Sequence, residues 1–278
     1  MNKKIILRLL FCFFIFIFLN NNSYSKEQYP NKIQEIKNRG FIIVGTTGDY
    51  RPMSYYNPEK RTYEGFDITL AEDLAKFLGV KIKFVSTSWP TLMSDTMSGK
   101  FDIALSGITI TASRKKHALM SKSYLSNGKT VLCRLEDKDK YTSIEKINKP
   151  NVKVMENPGG LNEKFARDNL SNALLIIYDI NAEIPNLIAD GKADVMITDT
   201  IEANFYCQKD KRLIAPIVEH PFTNEKIGAL IPKDNKALLK YVNKFLKQEY
   251  KSGRLQELTK MYIYSNIENT SYSTSKLK

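Results

Sequence analysis

Two adjacent glycines open a predicted helix in the segment 157–167, which reads Asn-Pro-Gly-Gly-Leu-Asn-Glu-Lys-Phe-Ala-Arg. A helix start offers N–H groups without intrahelical partners, together with the positive end of the helix dipole. Glycine also lets a ligand come close to the backbone. No Lys-Ser or Lys-Thr pair follows, so the segment does not match a nucleotide-binding loop. The pattern predicts that Gly159 and Gly160 hold a small anion such as a carboxylate.

An arginine beyond a predicted strand offers a second contact for an anion. Arg114 follows the strand predicted at 99–105, and open α/β sheets bind ligands at the carboxyl ends of their strands. A guanidinium group can pair with a carboxylate through two parallel hydrogen bonds. The alternative is a solvated arginine beside Lys115 and Lys116, because runs of like charge are usually exposed. The residues alone leave both interpretations open.

Two acidic residues stand three positions apart in the segment Thr198–Ala203. Asp199 precedes a predicted helix and Glu202 falls in its first turn, which is close to the capping-box pattern. Helix capping alone could therefore explain both acids, and a ligand contact is the competing interpretation.

Trp89 is the only tryptophan of the chain. Burial in a core is the default for a large aromatic side chain. The Ser-Trp-Pro sequence, however, predicts a loop after a strand, which is a poor place for a core anchor. The alternative is that Trp89 contacts a ligand.

The composition argues against several classes of site. Only two histidines are present, His117 and His220, so a histidine-based metal centre or a Ser-His-Asp triad is poorly supported. The net charge is +12, but the lysines are scattered, which favours a solvated surface that attracts anionic solutes over a nucleic-acid site. We expect no metal, no cofactor and no nucleic-acid partner.

Strands and helices alternate along the first part of the chain. The pattern predicts strands at 41–45, 81–85 and 99–105 and helices at 67–79 and 91–98. Asp67 is expected to cap the first of these helices and Gly79 to end it. Such βαβα alternation is typical of a parallel sheet flanked by helices.

The phrase Gly-Lys-x-Asp occurs twice, at 99–102 and 191–194. Each copy leads into a strand, which predicts two lobes of similar construction. The organisation predicted from these patterns is the following: lobe 1 at 26–128 and 228–264, lobe 2 at 129–227, strands joining the lobes near 129–133 and 227–231, and C-terminal helices at 235–250 and 252–262 that return to lobe 1.

Both ends of the chain are predicted to lie outside the folded lobes. Residues 1–25 have a basic start, a short apolar run and a polar end, which is the order of a cleaved secretory signal peptide. Residues 265–278 are polar and aperiodic, which predicts a disordered tail. The N-terminal pattern therefore predicts a secreted protein, and the alternative is an uncleaved N-terminal anchor.

The two-lobe pattern resembles the periplasmic solute-binding proteins of polar amino acid transport over nearly all of the chain after residue 25. Within that superfamily it most resembles the cyclohexadienyl dehydratases, secreted enzymes on the same scaffold. The segments that carry the resemblance are Thr46–Tyr55, Thr87–Met93, Asn157–Arg167 and Thr198–Ala203. The resemblance implies a two-lobe α/β fold, each lobe a mostly parallel sheet flanked by helices, with a ligand cleft between the lobes.

The resemblance also implies individual roles. Arg114 and Thr109 match positions that bind a ligand carboxylate, and Tyr50 and Trp89 match positions that sandwich the apolar part of the ligand. Tyr55 is a weaker candidate for the same wall.

Two further positions acquire roles in the same way. Asp199 matches the carboxylate that binds the ligand ammonium. Asn157 matches a dehydratase position that binds the substrate hydroxyl or ring carboxylate, although a turn residue before Pro158 is the alternative.

Glu202 decides whether an enzyme is expected, because the dehydratases have a glutamate at the matching position that acts as general acid. Prephenate and arogenate become aromatic when they lose CO2 and hydroxide, so the enzyme need only orient the ring and protonate the departing hydroxyl. The acid must stay protonated near neutral pH. Burial raises the pKa of such a carboxyl group and a helix N-terminus lowers it, and the sequence leaves that contest open.

One residue departs from the pattern of the family, which has threonine where this chain has Leu161. Leucine removes a hydroxyl donor for the ligand carboxylate but keeps the backbone N–H. The prediction is a carbon–oxygen lyase acting on prephenate, arogenate or both. The alternative is a non-catalytic amino-acid receptor of an ABC transporter with a membrane permease as partner, in which Glu202 would face a cationic ligand group. A sensor on the same scaffold is a third possibility.

Overall fold

The computed structural model describes residues 32–264. The predicted signal peptide at 1–25 and the predicted tail at 265–278 lie outside these residues. Within residues 32–264, no helix is both long enough and apolar enough to cross a membrane.

Strands and helices alternate through most of the described chain. The strands are β1 (Phe41–Thr46), β2 (Asp49–Tyr50), β3 (Ser54–Asn57), β4 (Thr62–Glu64), β5 (Lys81–Ser86), β6 (Ile103–Ala104), β7 (Ala118–Met120), β8 (Leu125–Asn127), β9 (Lys129–Arg134), β10 (Lys153–Glu156), β11 (Leu174–Ile177), β12 (Val195–Asp199), β13 (Leu213–Ile214), β14 (Glu225–Ile227) and β15 (Leu230–Pro232). The α-helices are α1 (Lys32–Arg39), α2 (Phe66–Leu78), α3 (Leu92–Met97), α4 (Ala112–His117), α5 (Ile144–Ile147), α6 (Leu161–Asn169), α7 (Ile184–Ala189), α8 (Thr200–Lys209), α9 (Lys236–Ser252) and α10 (Arg254–Tyr262).

Two five-stranded sheets form the centres of two lobes. Their strand orders are β5-β1-β6-β15-β7 and β11-β10-β12-β9-β13. In each sheet the fourth strand, β15 or β9, runs antiparallel to both neighbours, and the other four strands run in one direction. The predicted two-lobe α/β class with mostly parallel sheets is confirmed.

A short antiparallel ribbon links the two sheets, because β8 pairs with β14. The sequence placed the joining strands at 129–133 and 227–231, and that prediction was wrong by a few residues. The reason is that β9 and β15 are interior strands, whose fully buried apolar residues resemble a crossing strand in sequence. The exact lobe boundaries stay a prediction.

The C-terminal helices pack against the first lobe, as predicted. Phe245 of α9 and Leu258 of α10 share one buried cluster with Phe66, Leu70 and Leu74 of α2. In the second lobe both faces of the sheet are covered by apolar clusters, which explains why its strands read as continuous apolar runs.

Asp67 has a different role from the predicted helix cap. The cap position is occupied by Gly65, and Asp67 is a fully buried residue of the first turn of α2. Its carboxylate accepts hydrogen bonds from the Gly107 N–H at 2.5 Å and from the Tyr124 hydroxyl at 2.8 Å. Burial raises the pKa of Asp67 to about 7, against the effect of these hydrogen bonds. Gly79 ends the helix in the left-handed conformation, as expected.

Replacing Asp67 by alanine should destabilise the protein, because the buried Gly107 N–H and Tyr124 hydroxyl would both lose an acceptor. An unpaired buried donor costs about 1–3 kcal/mol. Urea unfolding measures the change, with Asp234→Ala as the control, since Asp234 is exposed. Equal stability of the two variants would contradict a structural role for the Asp67 carboxylate.

Candidate active site

Residues from both lobes line one cleft at the strand ends. Lobe 1 contributes Tyr50, Trp89, Gly107, Thr109 and Arg114, and lobe 2 contributes Lys129, Asn157, Gly160, Leu161, Asn162, Asn181 and Asp199. The structure thus brings together most of the residues that the sequence singled out, at the edge where α/β sheets bind ligands.

Two aromatic side chains form one wall of the cleft. Tyr50 and Trp89 meet edge to face, with ring centroids 6.0 Å apart and an angle of 79° between the ring planes. The indole N–H donates to an Asp49 carboxylate oxygen at 3.1 Å. Gly107 lies against the Tyr50 ring with φ +67°, and a Cβ atom there would lie only 2.2 Å from a ring carbon. Only glycine fits this approach. Tyr55, the weaker candidate, instead lies against the Arg51 guanidinium.

Arg114 is half-buried in the cleft, and its guanidinium donates to the Thr109 carbonyl oxygen at 2.7 Å. Within residues 32–264, no carboxylate lies within 4.0 Å of this guanidinium. Burial lowers the pKa of Arg114 to about 10, so the group stays cationic at neutral pH. The remaining N–H groups are therefore available for a ligand carboxylate. The Thr109 hydroxyl donates to Glu225 at 3.4 Å.

The Gly-Gly segment opens α6 as predicted, but its two amides differ. Gly160 is the N-cap residue, has no side-chain cap, and lines the cleft together with Leu161. The Gly159 N–H instead donates to the carboxylate of Glu163 at 2.6 Å, on an exposed part of the loop. The anion-binding role predicted for both glycines is therefore supported by this geometry for Gly160, while the Gly159 amide is engaged by the protein itself.

Asp199 does not cap its helix, although it occupies the N-cap position of α8. One of its carboxylate oxygens accepts from the Lys129 ammonium at 2.6 Å, and the other accepts from the Tyr50 hydroxyl at 2.7 Å. The helix-capping interpretation of Asp199 is thus wrong, because the side chain turns into the cleft.

Lys129 is a cleft residue that sequence reasoning missed. It is only 2% exposed, and it begins β9, whose antiparallel register sets it opposite Asp199. Its ammonium also donates to the Asn162 side-chain oxygen at 2.7 Å and lies 3.6 Å from the Glu225 carboxylate. The available signal was a lysine at the head of an apolar strand.

Glu202 is completely buried. Its two carboxylate oxygens accept from the Asn181 side-chain amide at 2.8 Å and from the Thr198 hydroxyl at 2.5 Å. Burial is the main cause that raises the pKa of Glu202 to about 8, and the nearby charges of Asp199 and Asp49 add to it. The hydrogen bonds from Thr198 and Asn181 oppose the shift. Desolvation outweighs these two hydrogen bonds, so the protonated form of Glu202 is favoured.

Three more residues line the cleft beside Glu202 and the helix start. Asn157, a predicted binding residue, is 4% exposed and follows β10 directly. Asn162 and Asn181 were not singled out from the sequence. Asn162 belongs to the first turn of α6, where the Gly-Gly pattern could have pointed to it, whereas Asn181 lies in a short 3-10 turn that carries no sequence signal.

Residues 42–265 match the sequence profile of the bacterial extracellular solute-binding proteins, family 3. The chain belongs to this family. It is 40% identical over 235 residues to the cyclohexadienyl dehydratase of Pseudomonas aeruginosa, covering 84% of this chain and 87% of that protein. It is 30% identical to the glutamine-binding protein GlnH of an ABC transporter of Bacillus subtilis, covering 88% of this chain and 89% of that protein.

Solved structures point to the same relatives. An ancestral amino acid-binding protein described as a precursor of cyclohexadienyl dehydratase matches with a TM-score of 0.78 and 38% identity, covering 84% of this chain and 99% of that chain. An ancestral cyclohexadienyl dehydratase matches with a TM-score of 0.53 and 49% identity, covering 84% of this chain and 97% of that chain. The resemblance noted in the sequence, to an enzyme as well as to receptors, is confirmed.

Because the pKa of Glu202 is raised, we expect the difference in stability between the wild type and Glu202→Gln to depend on pH. Above the ordinary pKa of a glutamate, the folded state holds a proton that the unfolded state releases, so the wild type loses stability as the pH rises towards about 8. Glu202→Gln cannot titrate. The stability of this variant relative to the wild type should therefore increase by roughly 1.4 kcal/mol per pH unit in that window.

Urea unfolding of both proteins between about pH 6 and pH 8 measures this difference. The other titrating groups are present in both proteins, so most of their contribution cancels. A difference in stability that is independent of pH would mean that Glu202 ionises normally in the folded protein.

Proposed function

We propose that the protein is a secreted cyclohexadienyl dehydratase, a carbon–oxygen lyase that converts prephenate to phenylpyruvate or arogenate to phenylalanine. The observation that carries this proposal is the state of Glu202, a buried carboxyl group beside the cleft whose pKa of about 8 keeps it protonated at neutral pH. A protonated carboxylic acid is what this reaction needs and what a receptor for a cationic ligand would avoid.

The reaction balances with one proton from Glu202. The acid protonates the ring hydroxyl, the carbon–oxygen bond breaks, and water leaves. The bond between the ring and its carboxylate breaks at the same time and releases CO2, and its electron pair completes the aromatic ring. Glu202 is left as a carboxylate and regains a proton from solvent when the product departs.

Asn181 links this acid to the cleft. Its side-chain amide donates to Glu202, while its side-chain oxygen is buried and has no hydrogen-bond partner within the described residues. Since Asn181 lines the cleft, its unpaired oxygen can accept a hydrogen bond from the substrate hydroxyl. This contact would hold the leaving oxygen next to the acid.

The rest of the cleft provides the matching contacts for such a substrate. Arg114 and the helix start at Gly160 bind the side-chain carboxylate, and Tyr50 and Trp89 flank the ring. Thr109 supports Arg114 through its carbonyl oxygen, and the neighbouring Asn157 contacts the ring carboxylate or the hydroxyl.

Direct contacts between the lobes would exclude water during the reaction. The Tyr50 hydroxyl of lobe 1 donates to Asp199 of lobe 2 at 2.7 Å, and the Asn181 amide donates to the Asp49 carbonyl oxygen at 3.0 Å. Closure of this kind strengthens every electrostatic interaction in the cleft and limits side reactions.

The alternative is a receptor that delivers an amino acid to a membrane permease, as the relationship to GlnH suggests. In that reading Glu202 would face a cationic group of the ligand. Its two oxygens are instead engaged by neutral donors, and burial keeps it protonated. The burial of Glu202 among neutral donors therefore favours the enzyme. Export to the periplasm remains part of the proposal, because the predicted signal peptide lies outside the described residues.

Glu202→Gln should abolish most turnover and spare substrate affinity. Removal of a general acid costs about 10²–10⁴-fold in rate, while glutamine keeps the size of the side chain. Formation of phenylpyruvate from prephenate, followed by its ultraviolet absorbance in base, measures the rate.

The matched control is Glu156→Gln, the same substitution at another fully buried glutamate. Glu156 accepts the Ile197 N–H at 2.6 Å, a contact that glutamine can keep. Turnover that is undiminished in Glu202→Gln, or lost equally in both variants, would remove Glu202 from the role of acid.

The pH dependence gives an independent test. Because only protonated Glu202 can act, kcat should be constant at neutral pH and fall above about pH 8, approaching a tenfold loss per pH unit. Steady-state rates at saturating prephenate give the profile. A rate that rises through this range would indicate a general base instead.

A further inference from the structure

We infer that the cleft discriminates against an α-ammonium group, so that the protein binds 2-oxo acids in preference to α-amino acids and prefers prephenate to arogenate. The kinetic part of this inference rests on the proposed dehydratase function. The binding part concerns the same cleft and can be measured without turnover.

The first observation is that the carboxylate expected to receive an ammonium group is already engaged. Both oxygens of Asp199 accept short hydrogen bonds from the protein, one from the Lys129 ammonium at 2.6 Å and one from the Tyr50 hydroxyl at 2.7 Å. An incoming ammonium group would have to displace one of these donors or share the carboxylate with a cation already in place.

The second observation is that Lys129 is held firmly. Its ammonium has three donors and faces acceptors on three different elements: Asp199 of β12, Asn162 of α6 and, at the longer distance of 3.6 Å, Glu225 of β14. The side chain is 3% exposed. A ligand cannot displace this ammonium into water without breaking a buried network, which is costly.

The remaining carboxyl groups near the cleft offer no substitute. Glu225 also accepts from the hydroxyls of Thr109 and Thr223, Asp49 accepts from the Trp89 indole, and Glu202 is engaged by Asn181 and Thr198. An α-ammonium would lie close to the charge of Lys129, and like charges in a buried site repel strongly. A C2 carbonyl carries no charge and needs no carboxylate.

Calorimetric titration with matched ligands tests the inference directly. Phenylpyruvate and L-phenylalanine differ at C2, and 3-phenyllactate supplies a neutral hydroxyl there as a chemically stable third probe. We expect the wild-type protein to bind phenylpyruvate and phenyllactate at least tenfold more tightly than phenylalanine. Equal affinities, or tighter binding of phenylalanine, would overturn the inference.

Two variants test whether Lys129 and the engaged Asp199 cause the preference for 2-oxo acids. Lys129→Met removes the ammonium and keeps most of the length of the side chain, and it should shift the ratio of affinities at least tenfold towards phenylalanine. Tyr50→Phe keeps the aromatic wall and frees one Asp199 oxygen, and it should shift the ratio several-fold in the same direction. Circular dichroism checks folding, and Tyr50→Phe carries the test alone if Lys129→Met does not fold. An unchanged ratio in the folded variants would contradict the assignment.

Kinetics separate this inference from the proposed function. The value of kcat/KM should be at least tenfold higher for prephenate than for arogenate. Turnover of both with arogenate preferred would overturn the inference and leave the dehydratase in place. Turnover of neither would overturn the dehydratase, and the affinity ratio would still decide the inference.

Discussion

The buried ion pair between Lys129 and Asp199 is the interaction on which the other contacts of the cleft depend. It forms because β9 runs antiparallel to β12, so that the first residue of one strand meets the last residue of the other at the cleft edge. Two charges buried together are tolerated only when hydrogen bonds complete their coordination. The Tyr50 hydroxyl and the Asn162 side chain supply those bonds, and one of them comes from the opposite lobe. The two opposite charges therefore balance each other, and the hydrogen bond from Tyr50 ties the pair to the opposite lobe.

Burial of carboxyl groups is the second constraint, and its effect on each group depends on the neighbouring charges. Glu202 is surrounded by neutral donors and by like charges, so the protonated form is favoured and the pKa rises to about 8. Asp199 has a cation at contact distance. Two acids three residues apart in sequence thus acquire different environments: Asp199 is the counter-ion of a lysine, and Glu202 has the buried position among neutral donors that the proposed proton donor requires. Such separation of neighbouring carboxyl groups by environment is the basis of acid chemistry at neutral pH.

The scaffold that supports these groups is shared with receptors as well as with a dehydratase. The family relationship explains the lobes, the ribbon of β8 and β14 and the cleft. It does not by itself distinguish binding from catalysis, because function depends on the site and not on the fold. Asn181 is an example of a side chain of the site: its amide donates to Glu202 and to the Asp49 carbonyl oxygen of the other lobe, and its side-chain oxygen is buried without a hydrogen-bond partner within the described residues.

The sequence by itself determined the two-lobe α/β class and the helix start at Gly160, because apolar periodicity, repeated turns and glycine pairs are local signals. Arg114, Trp89 and Glu202 became favoured site candidates only through the resemblance of their segments to a known family. Only the tertiary structure decided that Asp67 supports Gly107 instead of capping a helix, that Asp199 faces Lys129, and that desolvation of Glu202 outweighs the hydrogen bonds from Thr198 and Asn181. Each of these depends on which residues the tertiary structure brings into contact and on which side chains it buries. Contacts between residues tens of positions apart leave no trace in local spacing, so the sequence could single out Asp67, Asp199 and Glu202 but could not assign their partners, and it missed Lys129.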